Sequence, residues 1–149
     1  MATTPLIDKK HIGKKLPAFK VVPSAHQLRF FAKAIGETNP VYFDEAAAHD
    51  AGHPSLPLPP TFLFSLEFEQ PSAAWRAELG IDTSRILHGE QQFNYVRQAY
   101  AGDTLLYESR IADIYDKKNG ALQFIVRETR ITNHKGEHVA DLRSVIVQR

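Results

Sequence analysis

Two carboxylates and a phenol lie close together in the segment Gly36–Ala48, which reads GETNPVYFDEAAA. Glu37 and Asp44 supply the carboxylates, and Tyr42 lies between them. Carboxylates transfer protons and a hydroxyl orients water or a carbonyl group, so the segment is a candidate acid–base site. Each residue also has a structural interpretation. Glu37 fits a solvated carboxylate at a helix end, Asp44 fits a helix N-cap, and Tyr42 fits either a channel-lining or a core tyrosine.

A second candidate pair is His88 and Glu90, near the start of a predicted strand. Residues two apart on a strand point to the same face, so Glu90 could orient His88 as a base. The alternative is two polar residues of an interface or a loop. His49 and His53 have a helical metal-ligand spacing, but a glycine and a proline interrupt that helix. We therefore expect neither a metal site nor a cofactor.

The composition excludes several classes of function. The 149 residues carry 18 basic and 17 acidic side chains, a formal net charge of +1, which argues against charge-driven binding of nucleic acid or a membrane. The chain has no cysteine, which excludes thiolate nucleophiles and cysteine-based metal sites. The amino-terminal segment lacks the apolar core of a secretion signal, and no apolar run is long enough for a membrane span. We predict one domain, 1–149, in the cytoplasm.

The first half of the chain has helical patterns. Ser24 and Gln27 have the spacing of a capping box at the start of the first helix. Asn39 before Pro40 favours an Asx-type turn, and Asp44 can cap a second, short helix. The segment TFLFSLEF (61–68) is apolar on nearly every side, which predicts a helix buried all round.

The second half of the chain has strand patterns. Four long segments that start at Ile86, Leu105, Ala121 and His138 favour antiparallel strands, and a further strand is expected near Phe19. Asn119-Gly120 predicts a two-residue hairpin turn. Helices followed by strands indicate an α+β fold. An antiparallel sheet wrapped around a central helix is the hot-dog fold.

The segment FAKAIGETNPVYFDEAAA (31–48) resembles the hydratase motif of MaoC-like and (R)-specific enoyl-thioester hydratases. It keeps seven motif positions in register: Phe31, Ala32, Gly36, Asn39, Pro40, Asp44 and Ala48. The later segments PPTF and LHGEQQFNYVRQAYAGDTL look like those of FAS1-like dehydratase domains. The resemblance implies a hot-dog dimer that takes a thioester of coenzyme A or acyl carrier protein. It further implies that Asn39, Pro60, Thr61 and Phe62 contact the substrate.

The chain departs from the motif at both catalytic positions. Glu37 stands where the family has Asp, and Tyr42 stands where it has His. A phenol exchanges protons poorly at neutral pH compared with imidazole. The same Tyr-for-His exchange is found in the non-catalytic subunits of heterodimeric (3R)-hydroxyacyl-thioester dehydratases, whose partner supplies the catalytic pair. Pro59 and Pro60 also lack the N–H that polarises the thioester carbonyl in active hydratases, which leaves Thr61 as the nearest donor.

Two functional hypotheses follow from the resemblance. The first is an acyl-thioester-binding protein that depends on an active hot-dog subunit. The second is an autonomous homodimeric hydratase/dehydratase that uses Glu37 with Tyr42 or His88. An acyl-CoA thioesterase, which shares the fold, is a third and less favoured alternative.

Overall fold

A five-stranded antiparallel sheet forms one layer of the protein, which is described by a computed structural model over residues 5–149. The strands are β1 (Phe19–Val21), β2 (Ile86–Tyr95), β3 (Leu105–Lys117), β4 (Leu122–Thr132) and β5 (His138–Gln148). Their order across the sheet is β1-β3-β4-β5-β2. Strands β3, β4 and β5 are joined by short hairpins, whereas β2 returns to the sheet beside β5 and forms its outer edge.

Residues 1–4 of the predicted domain, which also belong to the segment predicted to lack a secretion signal, lie outside the described residues. Within residues 5–149, no helix is long and apolar enough to cross a membrane.

Four short helices precede the long strands: α1 (Ala25–Ala34), α2 (Glu45–Asp50), α3 (Phe62–Leu66) and α4 (Ala74–Glu78). The predicted capping box at the start of α1 is confirmed. The Gln27 N–H donates to Ser24 Oγ at 3.1 Å, and the Ser24 N–H donates to Gln27 Oε1 at 3.0 Å. These two bonds satisfy amide groups that the first helical turn leaves without partners.

The helix α3 continues into a 3₁₀ turn, Glu67–Glu69, and we call the whole segment 62–69 the central helix. Its Leu63 and Leu66 pack with Tyr107 of β3 and Leu142 of β5, and all four are nearly inaccessible to solvent. Tyr107 also donates its hydroxyl to the Leu63 carbonyl at 2.9 Å. Burial raises the pKa of Tyr107 and so maintains the phenol as a neutral donor. The sheet and the central helix thus pack around a shared cluster of buried residues, which confirms the predicted α+β fold.

Two local predictions were wrong. The central helix is not buried all round, because Phe68 is 69% exposed and Phe64 is half-buried. The hairpin between β3 and β4 is not a two-residue turn. Lys117 pairs with Leu122, so residues 118–121 form the turn, and Lys118 adopts the same positive φ of 53° as Asn119. The left-handed conformation therefore begins one residue before the Asn-Gly pair.

Candidate functional site

The candidate acid–base segment begins where α1 ends. Gly36, with a φ of +75°, follows the helix, and its N–H donates to the Lys33 carbonyl at 3.1 Å. The Glu37 N–H donates to the Ala32 carbonyl at 2.9 Å. This pair of bonds is a Schellman motif, which needs a left-handed residue at the Gly36 position. The backbone of α1 therefore fixes where the Glu37 side chain starts.

The Glu37 carboxylate accepts hydrogen bonds from backbone amides of the turn that contains it. Glu37 Oε1 accepts the N–H of Thr38 at 2.8 Å and the N–H of Asn39 at 2.9 Å. The side chain is half-buried. Its extra methylene relative to Asp lets the carboxylate fold back onto the backbone, where it stabilises the turn. One oxygen of the predicted base is thus already occupied by two backbone donors.

The neighbouring polar residues are also caps. Asn39 Oδ1 accepts the Val41 N–H at 3.2 Å, which confirms the Asx-type turn before Pro40. Asp44 accepts the N–H groups of Ala46 and Ala47 at 3.3 and 3.2 Å, which confirms it as the N-cap of α2. A role for Asn39 in substrate contact stays a prediction.

Tyr42 ends the 3₁₀ turn Pro40–Tyr42 and is half-buried. In the part of the chain that the structure describes, no side chain or backbone group hydrogen-bonds its hydroxyl. A half-buried phenol with a free hydroxyl agrees with a channel-lining residue better than with a fully buried core tyrosine.

His88 and Glu90 do not share a face of the sheet, so that prediction was wrong. A β-bulge at Gly89 separates them: His88 pairs with Ile146, whereas Glu90 pairs with Val145 on the opposite face. A Cβ at Gly89 would come within 2.7 Å of Val147 Cγ2, so the bulge requires a glycine. The extra residue breaks the period-2 alternation on which the prediction depended.

The structure places His88 and Glu90 in different surroundings. The His88 ring lies 4.8 Å from the Phe64 ring of the central helix, measured between centroids. Glu90 instead approaches Arg143, with 3.9 Å between Oε2 and Nη1. Glu90 therefore does not orient His88, and His88 remains a candidate base without a carboxylate partner in this pair.

A cavity of about 290 Å³ lies beside the start of the central helix, and Pro60, Leu63 and Tyr95 are among the residues that line it. Thr61 occupies the N-cap position of α3, but its side chain does not cap the helix. The Phe62 side chain is buried in the core with its ring 5.0 Å from that of Phe31. Of the residues predicted to bind substrate, Pro60 borders this cavity, and the roles of Thr61 and Phe62 stay predictions.

His88 borders a separate cavity of about 210 Å³ at the other end of the central helix, together with Phe64, Phe68 and Arg127. The structure thus does not bring His88 into the cavity that Pro60 borders. A larger cavity of about 790 Å³ lies over charged side chains such as Arg110 and lacks the predicted site residues.

A buried polar network beneath the central helix was missed by the sequence analysis. Glu67 Oε1 accepts the Thr129 hydroxyl at 2.7 Å, and Thr129 Oγ1 lies 2.8 Å from Ser109 Oγ. Arg127 Nη2 approaches the same Glu67 oxygen at 3.5 Å, and both charged side chains are 5% exposed. Burial lowers the pKa of Arg127, and Glu67 opposes that shift. A lone glutamate in the apolar segment TFLFSLEF was the available sequence signal.

Comparison with known sequences agrees with the resemblance to FAS1-like dehydratase domains. The sequence model of a family described as "FAS1-like, dehydratase domain region" matches residues 10–142. A UPF0336 protein of Streptomyces coelicolor is 34% identical over 145 residues, which cover 96% of this chain and 95% of that protein. A UPF0336 protein of Leifsonia xyli is 39% identical over 124 residues, which cover 83% of this chain and 82% of that protein.

Comparison with solved structures confirms the hot-dog fold. A chain of the C-terminally truncated HadBC (3R-hydroxyacyl-ACP dehydratase) complex from Mycobacterium tuberculosis aligns with a TM-score of 0.76 and 25% identity, covering 92% of this chain and 96% of that one. The (R)-hydratase from A. caviae involved in PHA biosynthesis aligns with a TM-score of 0.70 over 91% of this chain and 94% of that one. At 18% identity, the latter likeness shows the fold alone.

Proposed function

We propose that this chain, which belongs to the FAS1-like dehydratase family of hot-dog proteins, binds an acyl thioester and depends on a partner subunit for acid–base catalysis. The thioester is a 2-enoyl or 3-hydroxyacyl group on coenzyme A or acyl carrier protein. The chain shapes the acyl site, and a hot-dog partner with an intact Asp and His pair moves the protons of hydration or dehydration.

The turn at Glu37 carries this proposal. A general base needs a free lone pair at hydrogen-bond distance, about 2.6–3.2 Å, from the heavy atom whose proton it abstracts. Glu37 Oε1 accepts hydrogen bonds from the Thr38 and Asn39 amides at 2.8 and 2.9 Å, so it serves as a backbone cap. At the second catalytic position, Tyr42 offers a hydroxyl in place of an imidazole. The segment keeps motif residues of a hydratase turn such as Gly36, Asn39 and Pro40, while the side chains at the two catalytic positions are poorly suited to proton transfer.

The cavity beside Pro60 supports a role in binding. Its volume is about 290 Å³, and the apolar residues that border it include Leu58 and Leu63. Ligand sites are typically concave and mostly apolar, with few polar groups. Thr61, at the start of the central helix, is the first residue after the two prolines that has an N–H to offer a thioester carbonyl.

The free edge of β2 supports a dimer. Within the described residues, β2 pairs with β5 on one side and with no strand on the other. Its ten residues present exposed apolar side chains, Leu87 at 48% and Tyr95 at 47%. A long edge with exposed apolar groups is a template for pairing with another chain. The HadBC structure to which this chain is similar is itself a complex.

The autonomous hydratase that uses Glu37 with Tyr42 or His88 is the alternative. It requires His88 or Tyr42 to act beside Glu37, yet His88 borders the cavity at the far end of the central helix from Pro60. A thioesterase would require a differently placed carboxylate. The experiment below separates these alternatives from the proposal.

The test measures crotonyl-CoA hydration by the chain alone, by a hot-dog chain of the same genome that has the Asp and His pair, and by their mixture. We expect the mixture to exceed the sum of the two separate rates. Activity of this chain alone above that of the Glu37→Gln, Tyr42→Phe double variant would contradict partner dependence.

Two surface variants test whether the free edge of β2 is the subunit interface. Leu87→Lys, on β2, should weaken association measured by sedimentation, because it places a charge in the proposed interface. Val22→Lys is the matched control, since Val22 is similarly exposed at 52% and lies next to the opposite edge strand. Equal association of the two variants would show that β2 is not the interface.

A further inference from the structure

The cavity of about 210 Å³ at the end of the central helix is lined by both apolar and positively charged residues. Phe64, Phe68 and Ile146 form apolar walls, and two basic residues, Arg76 and Arg127, also border it. An apolar cavity with a few converging polar groups is the general form of a small-molecule site.

The guanidinium groups have donors without acceptors. Among residues 5–149, no hydrogen-bond acceptor meets Arg127 Nε, Arg127 Nη2 or Arg76 Nε, and all three atoms are buried. Glu67 does not satisfy them, because its Oε1 lies 3.5 Å from Arg127 Nη2 and already accepts the Thr129 hydroxyl at 2.7 Å. Leaving buried donors unpaired is costly, so an oxygen ligand in the cavity would be stabilised.

The charges around the cavity do not balance. Two arginines face one glutamate, which leaves one positive charge in excess. Burial lowers the pKa of Arg127, Glu67 raises it, and Arg76 lowers it further, so the two guanidinium groups repel one another. A single anion between them would relieve both the repulsion and the missing hydrogen bonds.

We propose that this cavity binds the carboxylate of a small monocarboxylic acid, with its apolar tail against Phe64, Phe68 and Ile146. At about 30 Å³ for each water-sized group, the cavity has room for about seven such groups, which is the scale of hexanoate. A thioester carbonyl is neutral and would not offset the excess positive charge, whereas the carboxylate of a free acid would. This inference concerns a different cavity from the one beside Pro60 and does not rest on the proposed function.

Trp75 provides a direct reporter for the site. It is the single tryptophan of the chain, and its ring lies 5.4 Å from Arg76 Cζ and 5.8 Å from Arg127 Cζ. We expect hexanoate at neutral pH to cause a saturable change in tryptophan emission of the full-length chain. Hexanamide, which has the same shape and no charge, should bind at least tenfold more weakly, because hydrogen bonds to charged groups are stronger than those to neutral ones.

Two arginine variants distinguish a binding site from a structural ion pair. Arg76→Gln should weaken hexanoate binding about tenfold, because it removes the excess charge and one donor. Arg110→Gln is the matched control, since Arg110 pairs with Glu128 on the other face of the sheet and should leave the affinity unchanged. If Arg76→Gln does not fold, Arg127→Lys replaces it. Lysine keeps the charge, loses the planar fork and should also weaken binding.

The inference is overturned by any of three results: no saturable response to hexanoate, equal affinity for hexanoate and hexanamide, or an Arg76→Gln affinity equal to that of Arg110→Gln. The second result would identify an apolar cavity that does not recognise charge. The first and third would leave Arg76 and Arg127 as structural groups.

Discussion

Removing one member of the buried Glu67–Arg127 pair should destabilise the protein more than removing both. The two side chains are 5% exposed, with 3.5 Å between Arg127 Nη2 and Glu67 Oε1. At an effective dielectric constant of about 20, unit charges at this separation attract by about 5 kcal/mol. Arg127→Met removes the cation that approaches the buried Glu67 carboxylate at 3.5 Å, which should cost about 3–5 kcal/mol of unfolding free energy.

The double variant Glu67→Gln, Arg127→Met should recover part of that loss. It removes both charges of the pair, and the glutamine oxygen can still accept the Thr129 hydroxyl that Glu67 accepts at 2.7 Å. We therefore expect a coupling of about 2–3 kcal/mol in the double-mutant cycle.

Urea unfolding, followed by Trp75 emission, measures the free energy of unfolding of the wild type, the two single variants and the double variant. Arg110→Met is a control, because Arg110 and Glu128 lie 2.7 Å apart but are 56% and 40% exposed. This closer pair should contribute less than about 1 kcal/mol, since solvent screens it. Additive losses for Glu67→Gln and Arg127→Met, or an Arg110→Met loss as large as that of Arg127→Met, would refute the reasoning from burial.

Three further predictions concern stability and are checked by urea unfolding. Tyr107→Phe should cost about 1–3 kcal/mol, because the buried Leu63 carbonyl loses its donor at 2.9 Å; an unchanged midpoint would contradict this. Ser24→Ala should cost about 1 kcal/mol by removing the capping box, and a loss below about 0.3 kcal/mol would show that α1 does not need it. Gly89→Ala should cost about 1–3 kcal/mol, because the new Cβ meets Val147 Cγ2 at 2.7 Å, and a neutral effect would mean that the bulge shifts freely.

The elements with local causes were predictable from the sequence. Ser24 and Gln27 form a capping box wherever a helix follows them, and Asp44 caps α2 through amides two and three residues away. The long strands were predictable from the turn residues that precede and follow them. Each of these features depends on residues that are close in sequence, so a single sequence is sufficient to predict it.

The features that depend on distant partners were not predictable. The bulge at Gly89 follows from the approach of Val147 on β5, which sequence alone does not reveal. Arg127 lies on the face of β4 that meets Glu67 of the central helix, but β4 carries apolar residues on both faces, so alternation does not tell which face that is. Phe68 is exposed and lies in the 3₁₀ turn that follows the end of the α-helix at Leu66. Pairing register and helix length are decided by tertiary contacts.

The central claim is that the turn Gly36–Asp44 keeps a hydratase backbone whose proton-transferring groups have been exchanged. The most direct test is crotonyl-CoA hydration by the wild type, by Glu37→Asp, by Tyr42→His and by the double variant. Aspartate draws the carboxylate back from the Thr38 and Asn39 amides, and histidine supplies a group that titrates near neutrality. We predict that the double variant is faster than the wild type by about a hundredfold or more, and by more than the product of the two single effects. A double variant that is folded, binds acyl-CoA and is no faster than the wild type would contradict the claim.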